Sequence, residues 1–190
     1  MIFDSLQEKE VVELLKRNKI AVLPTDTIYG LVGTALSPRI VEDIYDIRER
    51  DRKKPMIVLV ASESQLRTFF ELEVPRKISA LWPAKLSVVL ECSKYPHIHR
   101  GGGTIAFRIP ERRDLRNLID EVGPIVAPSA NPEGKKPAVT IDKAFDYFGE
   151  RVDFYVDEGK MESDPSTLIS YLNGEIQVLR EGAVNPESLR

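Results

Sequence analysis

Residues 24–31, with the sequence PTDTIYGL, bring several polar side chains together directly after the apolar run 20–23. Thr25 and Thr27 offer hydroxyl groups and Asp26 offers a carboxylate. In α/β proteins, ligands tend to bind beyond the carboxyl ends of strands, where these groups would lie. Hydroxyl groups of this kind also bond to their own backbone in ordinary polar turns. From this segment alone, both a binding site and a polar turn remain open.

The densest charge in the chain lies at residues 48–55, with the sequence RERDRKKP. Arg48, Arg50 and Lys54 could clamp a polyanion, because guanidinium groups pair with phosphate through two parallel hydrogen bonds. Charge runs at helix ends are usually solvated instead, and cations there suit the helix dipole. The segment is consistent with either interpretation.

Arg108 is an unusual residue for the apolar strand predicted at 104–109. Alternation along a strand places Thr104 and Arg108 on the same face. A buried guanidinium group requires an anionic partner or a ligand. Ser129 and Asn131 follow another short strand, where they could contact a ligand or cap a turn.

Ser166 opens a predicted hairpin that Arg180 closes. The chain has two histidines, His97 and His99, with no cysteine or acidic cluster beside them, so no metal site formed by the protein is expected. No GxSxG, Walker A or GxGxxG motif is present, and no protein nucleophile is predicted. Cations, hydroxyls and an amide suit electrostatic catalysis on a phosphate-bearing substrate.

Composition limits the class of protein. The 190 residues are 42% hydrophobic and 30% charged, as in a soluble globular domain. No apolar run approaches the ~20 residues of a membrane span, and no signal peptide is evident. The single cysteine, Cys92, favours a reducing cytoplasm. The net charge of −3 argues against a general nucleic-acid binder.

Hydrophobic periodicity predicts elements that alternate early in the chain and end in a hairpin. This order predicts one α/β domain with a twisted mixed sheet flanked by helices, since a hairpin does not fit a purely parallel sheet. The predicted helices are one after the capping-box pattern of Ser5 and Glu8, which ends near Asn18, and one beginning at Pro38 after an N-cap at Ser37. Further helices are predicted at 63–71, 75–82, 112–122 and 141–148. The predicted strands are 20–23, 56–60, 86–90, 104–109, 125–127, 154–156, 166–172 and 175–180. The last two form the predicted hairpin, because Asn173 and Gly174 lie between them.

In order, six segments resemble the YrdC/Sua5/TsaC family of threonylcarbamoyl-AMP synthases. The segments are PTDTIYGL (24–31), RERDRKKPM (48–56), LWPAKLSVVL (81–90), TIAFRIP (104–110), APSANPEG (127–134), and PSTLI with LREGAV (165–169 and 179–184). The resemblance implies a YrdC-like domain at residues 3–190 around a basic concave cavity, in the short, stand-alone form.

The resemblance also implies an activity. The family joins L-threonine, bicarbonate or CO2, and ATP into threonylcarbamoyl-AMP and releases pyrophosphate. ATP is a substrate, and Mg2+ is expected with it. A separate transferase protein is the expected partner, and the threonylcarbamoyl group is destined for adenosine 37 of tRNA. Direct contact with tRNA or double-stranded RNA is left open.

By resemblance, the threonine-binding residues are Thr25, Thr27 and Arg108, and electrostatic catalysis falls to Arg50, Lys54 and Arg108. The nucleotide-binding residues are Arg48, Arg50, Lys54, Thr104, Ser129, Asn131, Thr140, Ser166 and Arg180. Three departures from the family pattern are Arg48 in place of the lysine of a K-x-R element, Asp51 and Lys85 in place of prolines, and an unusual loop at 132–140.

Two alternatives to this synthase are considered. One is an RNA-binding module without turnover, which would show steeply salt-dependent binding. The other is a related domain for carbamoyl or adenylyl transfer, of the kind found as one module in larger proteins.

Overall fold

The computed structural model describes residues 1–189, so the predicted domain end at residue 190 lies outside the described residues. Ten strands and seven α-helices form within this range. The strands are β1 (Ile2–Phe3), β2 (Ala21–Pro24), β3 (Tyr29–Thr34), β4 (Ile57–Leu59), β5 (Leu86–Glu91), β6 (Thr104–Arg108), β7 (Ile125–Val126), β8 (Phe154–Val156), β9 (Thr167–Leu172) and β10 (Glu175–Arg180). The helices are α1 (Lys9–Lys16), α2 (Pro38–Arg48), α3 (Glu63–Phe70), α4 (Arg76–Ser79), α5 (Pro96–His99), α6 (Arg113–Val122) and α7 (Ile141–Phe148).

All ten strands join one sheet in the order β1-β8-β2-β3-β7-β4-β6-β5-β9-β10. The pairs β1–β8, β2–β8, β4–β6 and β5–β9 are parallel, and the other pairs are antiparallel. The prediction of a single α/β domain with a mixed sheet is therefore confirmed. The β9–β10 hairpin forms at the predicted place, with Asn173 and Gly174 both at positive φ.

The two faces of the sheet carry separate hydrophobic clusters. In β2, Val22 belongs to one cluster, whereas Ala21 and Leu23 belong to the other. This alternation follows from the two-residue period of a strand. The cluster around Val22 includes buried side chains of α2 and α7, and the second cluster includes those of α1 and α6. None of the helices in residues 1–189 is long and apolar enough to cross a membrane.

Strand β3 is the main element that the sequence patterns miss. It is almost entirely buried and pairs antiparallel with β2, from Ala21 opposite Val32 to Pro24 opposite Tyr29. Two glycines hide its apolar alternation. At Gly33 a Cβ atom would lie 2.5 Å from Cγ2 of Ile40, so the glycine lets α2 pack directly against the sheet.

Three smaller differences concern short elements. Strand β1 and helix α5 were not predicted. The first helix begins at Lys9, later than the capping-box pattern at Ser5 suggests. Oε1 of Glu8 accepts a hydrogen bond from the Ser5 N–H at 3.2 Å, but Oγ of Ser5 accepts from the Gln7 N–H at 3.1 Å. The side chains of Ser5 and Glu8 therefore stabilise a turn that precedes the helix, and they do not cap the helix itself.

Candidate active site

A cavity of about 190 Å³ lies beside the turn that joins β2 to β3. Its polar wall contains six of the predicted site residues: Thr25, Thr27, Arg108, Ser129, Ser166 and Arg180. Prolines 128, 137 and 165 contribute apolar surface. The cavity is smaller than the roughly 300–1,000 Å³ of pockets for drug-sized ligands. It therefore suits an amino acid better than a whole nucleotide.

Arg108 projects from the end of β6 into this cavity and is only 4% exposed. The sequence predicts an anionic partner or a ligand for this guanidinium group, and the structure provides Asp26, whose Oδ1 lies 3.1 Å from Nη2 of Arg108. Both side chains are almost fully buried. Oδ2 of Asp26 accepts a hydrogen bond from the Glu111 N–H at 3.0 Å, which ties the turn to the segment after β6.

The hydroxyl groups of the turn form an ordered chain. Oγ1 of Thr25 donates a hydrogen bond to the carbonyl oxygen of Ile28 at 2.6 Å. Because its proton is used there, Oγ1 of Thr25 accepts from the hydroxyl group of Thr27, and the two oxygens lie 3.1 Å apart. Oγ1 of Thr27 is then free to accept from Nη1 of Arg108 at 3.5 Å. The segment is thus a polar turn and also the wall of a cavity. The polar-turn interpretation is confirmed, and a role of this segment in binding a ligand stays a prediction.

One buried cation of the cavity, Arg108, is short of hydrogen-bond partners. Nε of Arg108 has no hydrogen-bond partner, and it is among the few such buried side-chain atoms of residues 1–189. Burial lowers the pKa of Arg108; the charge of Asp26 opposes this shift, and the charge of Arg180 adds a smaller lowering effect. Burial also lowers the pKa of Arg180. An anionic ligand would satisfy these guanidinium groups.

Ser166 and Arg180 form the wall contributed by the hairpin. Nη2 of Arg180 donates to the carbonyl oxygen of Ser166 at 2.7 Å and to its Oγ at 3.3 Å. Oγ of Ser166 also lies 2.9 Å from Oγ of Ser87. At Gly182 a Cβ atom would lie 2.2 Å from the carbonyl oxygen of Pro165. The glycine therefore allows the chain after β10 to lie against this wall.

Arg48 lies behind the cavity rather than in it. Its Nε donates to the carbonyl oxygen of Asn131 at 2.9 Å, and its Nη2 donates to Oγ of Ser129 at 3.2 Å. Burial, followed by the charge of Arg50, lowers the pKa of Arg48 to about 10. Asn131 is buried, and its Nδ2 bonds to the carbonyl oxygens of Pro132 and Lys135. Arg48 and Asn131 therefore position Ser129 and the loop that follows it.

Arg50 and Lys54 lie outside the cavity. Arg50 donates to the carbonyl oxygens of Lys54 and Pro55, which holds the basic segment in shape. Nζ of Lys54 pairs with Oε1 of Glu133, and the Lys54 side chain is 57% exposed. These cations can therefore meet phosphate groups that extend beyond the cavity.

Two predicted site residues lie apart from this group. Thr104 is four residues before Arg108 on β6, roughly 13 Å along an extended strand, and it lines a different cavity of about 840 Å³. Thr140 caps α7, where its Oγ1 accepts a hydrogen bond from the Lys143 N–H at 3.2 Å.

Sequence reasoning left two acidic residues without a settled role. Asp26 pairs with Arg108. The signal that could have identified Asp26 is that a buried arginine needs a partner. Glu133 contacts the basic segment from 80 residues away, and no sequence pattern pointed to it. Within residues 1–189, no group of three or more His, Cys, Asp or Glu side chains could hold a metal ion.

Comparison with known proteins gives a consistent result. The family model Sua5_yciO_yrdC, described as "Telomere recombination", matches residues 13–182. A threonylcarbamoyl-AMP synthase of Bacillus subtilis is 31% identical over 96% of this chain, which spans 55% of that protein. A threonylcarbamoyl-AMP synthase of Idiomarina loihiensis is 30% identical, and the alignment covers 86% of this chain and 92% of that one.

A solved structure gives the same picture at the level of the fold. Pyrococcus abyssi Sua5 complexed with L-threonine superposes with a TM-score of 0.90 at 27% identity. The match covers all of this chain and 59% of the P. abyssi protein.

Proposed function

The chain belongs to the Sua5/YciO/YrdC family, and on this premise we propose that it is a threonylcarbamoyl-AMP synthase. It joins L-threonine, bicarbonate or CO2, and ATP to give threonylcarbamoyl-AMP and pyrophosphate. The observation that carries the proposal is Arg108, a buried guanidinium group in the wall of a cavity the size of an amino acid, with an Nε that lacks a partner.

Threonine occupies the cavity in this proposal, and its carboxylate faces Arg108. Thr27 and Asp26 hold the guanidinium group in place. Because the hydroxyl group of Thr25 is engaged within the turn, Thr25 contributes shape and its methyl group. A ligand carboxylate at this point would offset the burial of the cation.

ATP lies partly outside the cavity, since the volume of about 190 Å³ is too small for a nucleotide. Its phosphates meet Arg50 and Lys54, and the nucleoside contacts Ser129, Ser166 and Arg180. Arg48 and Asn131 hold Ser129 and the loop after it, which form this rim of the cavity, in place. Mg2+ arrives with the triphosphate, as is usual for this ion. Contacts of Thr104 and Thr140 with the nucleotide require it to extend well past the cavity.

The chemistry needs no protein nucleophile. The amine of threonine adds to CO2 with loss of a proton, which gives a carbamate. A carbamate oxygen then attacks the α-phosphorus of ATP, a new P–O bond forms, and the bond to the β-phosphate oxygen breaks to release pyrophosphate. Arg50, Lys54 and Arg108 stabilise the charge that develops on the oxygens.

The wider setting follows from the same premise. We propose that residues 3–190 form the catalytic domain, that the product passes to a transferase protein, and that it modifies adenosine 37 of tRNA. The single cysteine, Cys92, suits a cytoplasmic location. An RNA-binding role is less favoured, because Arg52 pairs with Glu42 and Asp46 and the chain carries a net charge of −3.

Pyrophosphate release tests the proposal. We expect release from ATP only when L-threonine and bicarbonate are both present, and none when L-alanine replaces threonine. Release that does not depend on threonine would contradict the proposal. A thermal-shift experiment with threonine, ATP and a short RNA separates the synthase from an RNA-binding module.

A further inference from the structure

We propose that Glu133 is a built-in competitor of the nucleotide: its carboxylate occupies, in the free protein, the anion site that a phosphate of ATP takes on binding. This inference rests on the proposed function, because it deepens the same site. It assigns a role to the loop after Asn131, which departs from the family pattern.

The contacts of Glu133 match those of a bound phosphate. Oε1 accepts from Nζ of Lys54, and Oε2 accepts from the Asp51 N–H at 2.6 Å. An ammonium group and a backbone N–H aimed at one anion are typical of phosphate sites. The Glu133 N–H also donates to the carbonyl oxygen of Arg48 at 2.8 Å, which fixes the base of the side chain beside the basic segment.

The carboxylate remains charged in this position. The hydrogen bond from Lys54, followed by that from Asp51, holds the pKa of Glu133 below its usual value. A charged carboxylate at this point repels a triphosphate that approaches the same cations. The pair therefore lowers the affinity for phosphates for as long as the carboxylate stays in place.

The contact can also be exchanged. The Lys54 side chain is 57% exposed and the Glu133 side chain 27% exposed, and exposed ion pairs contribute little to stability. Rotation about the side-chain bonds of Glu133 would release Lys54 without any movement of the backbone. A triphosphate carries several charges and can replace the single carboxylate.

Replacing Glu133 by glutamine tests this competition, since an amide oxygen can still accept from the Asp51 N–H while the charge is gone. The matched control is Glu71→Gln, which removes a carboxylate from its pair with Lys94, 2.6 Å away at another part of the surface. The probe is inorganic tripolyphosphate without Mg2+, and binding to the full-length protein is measured by calorimetry at low salt.

We expect Glu133→Gln to bind tripolyphosphate about 1.5- to 5-fold more tightly than wild type, the range set by one exposed ion pair. Glu71→Gln should match wild type, and the gain should shrink as salt screens the charges. Unchanged or weaker binding by Glu133→Gln would overturn the inference, and so would an equal gain in both variants. A role as a Mg2+ ligand predicts weaker binding that appears only when Mg2+ is added.

Two further measurements separate this inference from the proposed function. The unfolding temperature of Glu133→Gln should match that of wild type. A purely structural role of the carboxylate would instead lower the unfolding temperature of the variant. Titration of wild type with L-threonine reports on the proposed function alone. Failure of threonine to bind would overturn the synthase assignment but leave the competition for phosphate standing.

Discussion

Replacing Asp26 by asparagine tests whether the buried pair with Arg108 organises the candidate site. The change removes the charge that faces Nη2 of Arg108 but keeps an oxygen to accept from the Glu111 N–H. The side chains of Arg108 and Asp26 are 5% and 2% exposed. Removing one partner of a buried pair leaves an uncompensated charge and costs about 3–5 kcal/mol.

Equilibrium urea denaturation measures this loss, and the chain offers a close control in Asp153→Asn. Asp153 also pairs with a cation, Lys19 at 3.0 Å, and accepts from a backbone N–H, that of Ile20 at 2.8 Å. That pair is exposed, so its loss should cost less than about 1 kcal/mol. The difference between the two variants isolates the effect of burial.

The result that would refute this reasoning is equal destabilisation of the two variants. A loss below about 1 kcal/mol for Asp26→Asn would mean that Arg108 reaches water or another anion when Asp26 is neutral. We also expect the affinity for threonine to fall in this variant, because the guanidinium group that meets the carboxylate is no longer held in place.

Three further predictions concern Arg108, the hairpin wall and the start of helix α6. Arg108→Lys keeps the charge but loses the planar fork, so steady-state kinetics should show a KM for threonine raised about tenfold or more. Gly182→Ala should cost about 1–3 kcal/mol in urea denaturation, because a Cβ 2.2 Å from a backbone oxygen forces the hairpin wall to move. The hydrogen bond from Arg112 lowers the pKa of Asp114 in the folded protein. The charged Asp114 side chain therefore stabilises the fold above its unfolded pKa near 3.8, and this stabilisation is lost as the pH falls through the lower pKa of the folded state. Asp114→Asn should therefore be less sensitive to acid than wild type when urea midpoints at pH 3 and pH 7 are compared.

Much of the fold could be read from local patterns. Ser37 and Pro38 predicted the start of α2, and Oγ of Ser37 accepts from the Ile40 N–H at 3.4 Å. The Asn-Gly pair predicted the terminal hairpin. These signals succeed because caps and tight turns depend on neighbours in the chain. These signals did not identify strand β3, because Gly30 and Gly33 are needed for packing against residues elsewhere in the fold.

The candidate site shows the same division. The sequence alone predicted that Arg108 needs an anionic partner or a ligand, because an arginine on an apolar strand carries its charge into the interior. Only the tertiary structure decided that this partner is Asp26, that Arg48 supports the rim instead of lining the cavity, and that Glu133 lies on Lys54. The types and order of the functional groups are properties of the chain, whereas pairings between residues 80 apart depend on how the sheet brings distant loops together.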